Sequence, residues 1–156
     1  MRNELRVAMA AMVLALAACN SPAESEWRDV LSRVEVAENR WQEARPVRYV
    51  LTEQRLCECP PEQSGPVRIE ATGTSETVSS MVYAGDGQAV AAANTQYFHT
   101  VAGLFEIVRE AAAARVFGLE IEFDPALGYP TRIFIDRSDQ WLDDEVVYLV
   151  TSFQSL

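Results

Sequence analysis

The sequence contains no lysine and only one histidine, so arginine carries nearly all of its positive charge. Its 13 basic residues stand against 23 acidic ones, which gives a net charge of −10 at pH 7. Nucleic-acid binding needs basic patches that neutralise phosphates, and docking on anionic lipid needs the same sign of charge. The composition therefore argues against a nucleic-acid partner and is compatible with a cationic one.

The sequence also lacks an assembled catalytic motif. It has no Gly-x-Ser-x-Gly nucleophile elbow, and His99 has no second histidine to complete a metal site. We expect His99 to be partly buried or to lie at the start of a helix. Glu120, Glu122 and Asp124 form an acidic row that suits acid–base chemistry, but the solvent face of any acidic protein looks the same. These observations favour a non-catalytic protein over an enzyme, and we expect no cofactor and no metal.

The first 18 residues differ from the rest of the chain. Arg2 and Arg6 precede Val7–Ala18, an apolar run that is shorter than the roughly 20 residues of a spanning helix. The run ends in Leu16-Ala17-Ala18-Cys19, which resembles the bacterial lipobox. In that signal, small residues precede a cysteine that receives a diacylglycerol before the leader is cut. The alternative is an ordinary secretory signal that is cut after Ala18.

A lipid-modified Cys19 defines the predicted organisation of the chain. Residues 1–18 are the leader, residues 19–25 are a polar tether and residues 26–156 are one globular domain. Two or three acyl chains, such as palmitate, hold a protein firmly on a membrane. We expect an extracytoplasmic location, on the outer membrane or the periplasmic face of a Gram-negative envelope. There the domain would be a non-catalytic module that binds an envelope protein.

Cys57 and Cys59 are expected to form a disulfide, because an oxidising compartment favours pairing of the two remaining thiols. In an extended strand, Cα atoms two residues apart lie near the upper limit of about 6.8 Å for a disulfide. The bridge therefore requires a local bend, to which Pro60 can contribute. A structural pin at a strand end is favoured over thiol–disulfide redox activity, since no thioredoxin-like pattern surrounds the pair.

Hydrophobic periodicity predicts an α+β domain, with helices on one face of an antiparallel sheet. Residues 26–45 and 101–115 have the spacing of amphipathic helices, with Thr95 or Thr100 as N-cap of the second. Asp86-Gly87 is a hairpin signal that introduces a fourth strand. The predicted order is helix, four strands, helix, three strands. The seven predicted strands lie in residues 47–57, 67–71, 77–83, 88–93, 117–124, 132–136 and 145–153.

A polar loop before the last strand is the predicted contact region. Trp141 is expected to be an exposed contact residue, and four acidic residues lie beside it: Asp139, Asp143, Asp144 and Glu145. Such a group of oxygen ligands suits a weak calcium site, but the spacing fails the EF-hand pattern. A solvated acidic loop is therefore the favoured interpretation.

Several short motifs occur in an order that resembles one known family. They are Trp41, Tyr49, Cys57-Glu58-Cys59, Asp86-Gly87, Leu104-Phe105, Gly128-Tyr129-Pro130-Thr131 and Asp143-Asp144-Glu145. The sequence is similar, over about residues 26–156, to the domain-of-unknown-function 6174 family of bacterial lipoproteins and secreted proteins. The resemblance implies a single extracytoplasmic domain and assigns no activity to it.

Overall fold

The computed structural model describes residues 22–140 and 143–156. The leader, Cys19 and Trp141 lie outside the described residues, so the predictions made for them stay predictions. Leu31–Leu156 forms one compact unit, and apart from the first turns of the first helix the account below concerns this unit. Among the described residues, no helix combines the length and apolarity that crossing a membrane requires.

The described chain forms an α+β domain with one antiparallel sheet, as the sequence predicts. The helices are α1 (Pro22–Ala44), the single turn α2 (Pro61–Ser64) and α3 (Val101–Ala114). The strands are β1 (Arg48–Leu56), β2 (Val67–Thr72), β3 (Thr77–Tyr83), β4 (Gly118–Phe123), β5 (Pro130–Asp136) and β6 (Val146–Ser155). The strands lie side by side in the order β3-β2-β1-β6-β5-β4.

The prediction of about seven strands is wrong by one, because residues 88–93 do not form a strand. The Asp86-Gly87 turn is present, and the Gly87 amide donates to the Tyr83 carbonyl at 2.9 Å. Pairing then stops after a single bridge between Val82 and Ala89. The run Ala91-Ala92-Ala93 that follows has weak β-propensity. The order in the described chain is therefore helix, three strands, helix, three strands, with α2 between β1 and β2.

The two halves of the domain share one topology. Each half is a long helix followed by a three-stranded meander, and the meanders lie in the sheet in the same direction, β3-β2-β1 and then β6-β5-β4. The first and last strands of the chain meet at the centre, where β1 pairs with β6 from Tyr49↔Ser155 to Leu56↔Val147. The two halves of the sheet are therefore joined by the pair of strands that lie farthest apart in the sequence.

One face of the sheet carries the core. Trp41 of α1 is fully buried and lies edge-on to Tyr49, with ring centroids 5.5 Å apart. Phe105 of α3 stacks on Phe123 of β4 at 6.2 Å. Both long helices therefore contact the same face. Other fully buried side chains of this core are Leu51, Val67, Ile69, Leu104, Val108 and Ile133.

Candidate functional site

Three side chains satisfy amides at the start of α3. Thr100 is the N-cap, as one of the two sequence alternatives predicts, and its hydroxyl accepts from the Gly103 amide at 3.3 Å. The Tyr49 hydroxyl accepts from the Val101 amide at 3.1 Å. A carboxylate oxygen of Glu76 accepts from the Ala102 amide at 2.7 Å. Amides in a first helical turn have no partner within the helix, so these contacts fix where α3 begins.

Glu76 is a buried carboxylate that joins three elements. It is 4 % exposed and accepts from Trp41 Nε1 and from the Tyr49 hydroxyl, both at 2.8 Å. Burial, together with the charge of Glu76, raises the pKa of Tyr49 far above its usual range. Tyr49 therefore stays a neutral hydrogen-bond donor. With the Ala102 amide, Glu76 links α1, β1 and α3.

Glu53 is the second buried carboxylate, and it holds the segment before α3. It is completely buried on β1, and its carboxylate accepts from the His99 amide at 2.5 Å. Its other oxygen lies 3.3 Å from His99 Nδ1. Burial raises the pKa of Glu53, and the contacts with His99 oppose that shift. His99 itself is half-buried just before α3, as the sequence predicts.

Arg55 lies beside this pair, two residues further along β1. Its guanidinium carbon is 5.2 Å from the ring centroid of Tyr97 and 5.9 Å from that of Tyr148. Its Nε and Nη1 atoms are buried, and neither donates a hydrogen bond to the described part of the chain. The charge of Arg55 also lowers the pKa of Glu53. The aromatic rings thus hold an arginine that partly compensates the buried carboxylate.

A pocket of about 330 Å³, which Tyr148 helps to line, opens between the second half of α3 and strands β5 and β6. Its volume lies in the range of small-ligand sites, roughly 300–1,000 Å³. Its apolar walls are Ile107, Ala111, Ala114, Val116 and Ile135, and its polar lining residues are Glu110, Arg137 and Tyr148. Apolar walls with a few polar groups are the usual composition of a small-molecule binding site.

The predicted acidic loop lies next to this pocket. Asp139, Asp143 and Glu145 are exposed, and Asp144 is half-buried with an unpartnered Oδ1. Partial burial and the charges of Asp136 and Glu145 raise the pKa of Asp144. Arg137 Nη1 donates to the Asp144 carbonyl at 3.3 Å and so connects loop and pocket. Within the described ranges, no three His, Cys, Asp or Glu residues are arranged to hold a metal ion.

Cys57 and Cys59 form the disulfide that the sequence predicts, at the end of β1. Their Cα atoms are 5.3 Å apart, which is closer than a straight strand allows. The Cys59 amide donates to the Cys57 carbonyl at 2.9 Å, and this tight turn is the bend that the bridge requires.

We predicted neither the buried carboxylates nor the pocket from the sequence, although the pattern of β1 contained a signal for Glu53. Glu53 alternates in phase with the apolar Tyr49 and Leu51, so an inward-facing charge was visible in the pattern of β1. Glu76 lies between strands, where sequence patterns do not distinguish a buried carboxylate from an exposed one. The pocket joins α3 to β5 and β6, and only the tertiary fold brings those segments together.

Comparison with known proteins gives one assignment. The model of a family described as "Family of unknown function (DUF6174)" matches residues 33–155, which is almost the whole domain described above. No curated protein and no solved structure matches the chain. The chain therefore belongs to the DUF6174 family, a family of unknown function.

Proposed function

We propose that this protein is a membrane-anchored lipoprotein of the bacterial envelope whose acidic domain is a non-catalytic binding module. The basic and apolar leader that ends at Cys19 supports the anchor. The pocket between α3 and β5–β6 is the observation that supports binding. Glu53, Glu76 and Tyr49 support a non-catalytic role, because their polar atoms are engaged in holding α3.

The anchor is tested by growing cells with labelled palmitate. The wild-type chain should take up label, and Cys19→Ser should remove it. A double variant, Cys57→Ser with Cys59→Ser, is the matched control and should keep the label. Uptake that persists in Cys19→Ser, or a wild-type chain that stays unlabelled, would remove the basis for membrane attachment.

Binding is tested by crosslinking in the native envelope. Ala114 lines the pocket, whereas its exposed neighbour Ala113 does not. Ala114→Trp should therefore abolish crosslinking to a partner that wild type captures, and Ala113→Trp should leave it intact. Equal capture by both variants would place any interaction elsewhere on the domain.

A thiol–disulfide redox protein is the second candidate. The bridge between Cys57 and Cys59, two half-exposed residues at a strand end, favours it. Intact-mass measurement after alkylation, with and without glutathione, separates the two functions. A structural pin should leave both sulfurs unalkylated under glutathione, which is the result we expect. Ready exchange with glutathione would favour the redox protein instead.

A further inference from the structure

Resting on the proposed binding function, we infer that the pocket beside Tyr148 takes a small organic cation with an apolar body, such as an alkylammonium. The apolar body follows from the walls. Two isoleucines, two alanines and a valine form them, and these side chains gain by excluding water. An ion without carbon groups would leave that apolar surface unmatched.

Glu110 indicates that the ligand carries a positive charge. This carboxylate stands on the pocket wall and forms no hydrogen bond or ion pair with the described residues of the chain. Arg137 is the cation among the lining residues, and its guanidinium donates to the Asp144 carbonyl in the acidic loop without losing its charge. Asp136 at the end of β5 and Asp144 and Glu145 of the loop add three carboxylates near that guanidinium, so acidic groups outnumber it, in a chain of net charge −10. The surrounding field therefore attracts cations and repels anions.

The contacts of Tyr148 help to identify the group that binds the ligand's ammonium. Aromatic rings attract cations, but the Arg55 guanidinium already lies over the Tyr148 ring at 5.9 Å. The carboxylate of Glu110 is consequently the group that meets the ligand's ammonium. The aliphatic walls hold its hydrocarbon part.

Three molecules of one shape test this assignment: cyclohexylammonium, cyclohexanecarboxylate and cyclohexanol. The protein is the full chain carrying Cys19→Ser, so that no acyl chain competes for the probes. Titration is followed through the methyl NMR signals of Ala111 and Ala114 at low salt. The ammonium should bind about tenfold more tightly than the carboxylate, because one charge is attracted and the other repelled, and added salt should reduce the difference.

Matched variants locate the interaction. Glu110→Gln should weaken cyclohexylammonium binding about threefold, the size of an exposed charge pair. Glu43→Gln makes the same charge change on α1 and should have no effect. Ala114→Trp should abolish binding, and Ala113→Trp should preserve it.

Carboxylate binding as tight as ammonium binding would overturn the inference, and so would equal effects of Glu110→Gln and Glu43→Gln. Failure of the ammonium to bind, while Ala114→Trp still abolishes crosslinking in the envelope, would overturn the ligand class and leave the binding module standing. Loss of both results would overturn both proposals.

Discussion

At the scale of single residues, two buried glutamates determine how the domain is held together. A buried carboxylate is costly unless several donors surround it. Glu76 meets this condition although its backbone lies in the left-handed region, with φ of 49°, which costs a non-glycine residue about 1–2 kcal/mol. The three donors that converge on it offset that cost. Its carboxylate is thus part of the scaffold.

Replacing Glu76 by Ala should destabilise the domain by about 3–5 kcal/mol, because it leaves Trp41 Nε1 and the Tyr49 hydroxyl buried without an acceptor and removes the acceptor of the partly buried Ala102 amide. Urea unfolding measures the loss. The matched change Glu43→Ala removes an exposed carboxylate from α1 and should stay within about 0.5 kcal/mol of wild type. Similar values for the two variants would contradict the role given to Glu76.

Glu53 should make stability fall as pH rises above its ordinary pKa of 4.5. Burial raises its pKa in the folded state, so the folded chain binds the proton more tightly than the unfolded chain does. The stabilisation is complete below pH 4.5 and is lost as pH rises through the folded-state pKa. His99 and Arg55 face the carboxylate and limit this loss.

Glu53→Gln tests this dependence through urea unfolding between about pH 4 and pH 8. Relative to the variant, wild type should lose stability over that window. Glu70→Gln is the opposite control, because Arg48 lowers the pKa of Glu70 and its contribution is lost as pH falls. A flat difference for Glu53→Gln, or one with the opposite slope, would contradict the burial argument.

At the scale of elements, the turn between β4 and β5 positions α1. Gly128 has φ of 84°, and a Cβ atom there would lie 2.3 Å from the Ala37 carbonyl oxygen. The backbone of the turn therefore packs directly on the helix. The sequence identified Gly128 as a turn residue, but this close contact comes from the tertiary structure.

Gly128→Ala should destabilise the domain by about 3 kcal/mol or more, since it adds a clash with α1 to the usual 1–2 kcal/mol for a left-handed alanine. Gly73→Ala is the matched control, because Gly73 also has positive φ but nothing within 4 Å of an added Cβ. Thermal unfolding of both variants separates the cost of the clash with α1 from the cost of an alanine in the left-handed conformation. Equal shifts would show that the contact with Ala37 adds nothing.

Both edges of the sheet are protected against pairing with other chains. β3 has a bulge near Ser79, and residues 88–90 cover its last residues. On β4, Arg33 of α1 donates to the Ile121 carbonyl at 3.1 Å, and Glu120 and Glu122 are exposed. Bulges, short strands and charges are the usual means of preventing edge-to-edge association. A pocket is therefore a better candidate for binding than strand addition.

At the scale of the whole molecule, the pairing of β6 with β1 joins the two halves of the domain. Phe153 of β6 stacks on Tyr49 at 5.2 Å and on Tyr129 at 4.5 Å, and it lies edge-on to Trp41 at 5.7 Å. These rings come from α1, β1, the β4–β5 turn and β6. The aromatic cluster therefore couples the two halves of the domain.

Phe153→Ala should cost about 2–3 kcal/mol, because it removes a large, half-buried ring and its aromatic contacts. Phe117→Ala is the control, since Phe117 is 65 % exposed, and it should change stability by about 0.5 kcal/mol or less. Urea unfolding of both variants measures the difference. An equally large loss of stability in Phe117→Ala would contradict the role of the aromatic cluster in joining the two halves of the domain.

Sequence alone determined the fold class and most element boundaries, and it identified Cys57 and Cys59 as a candidate disulfide. Those features follow from spacing within one segment: helical stripes, alternation in strands and two cysteines two residues apart. Tertiary structure decided the strand order, the loss of a strand at residues 88–93, the burial of Glu76, the contacts of Glu53, and the pocket. Each of these depends on contacts between residues far apart in the chain, and a local pattern of side chains contains no information about such partners.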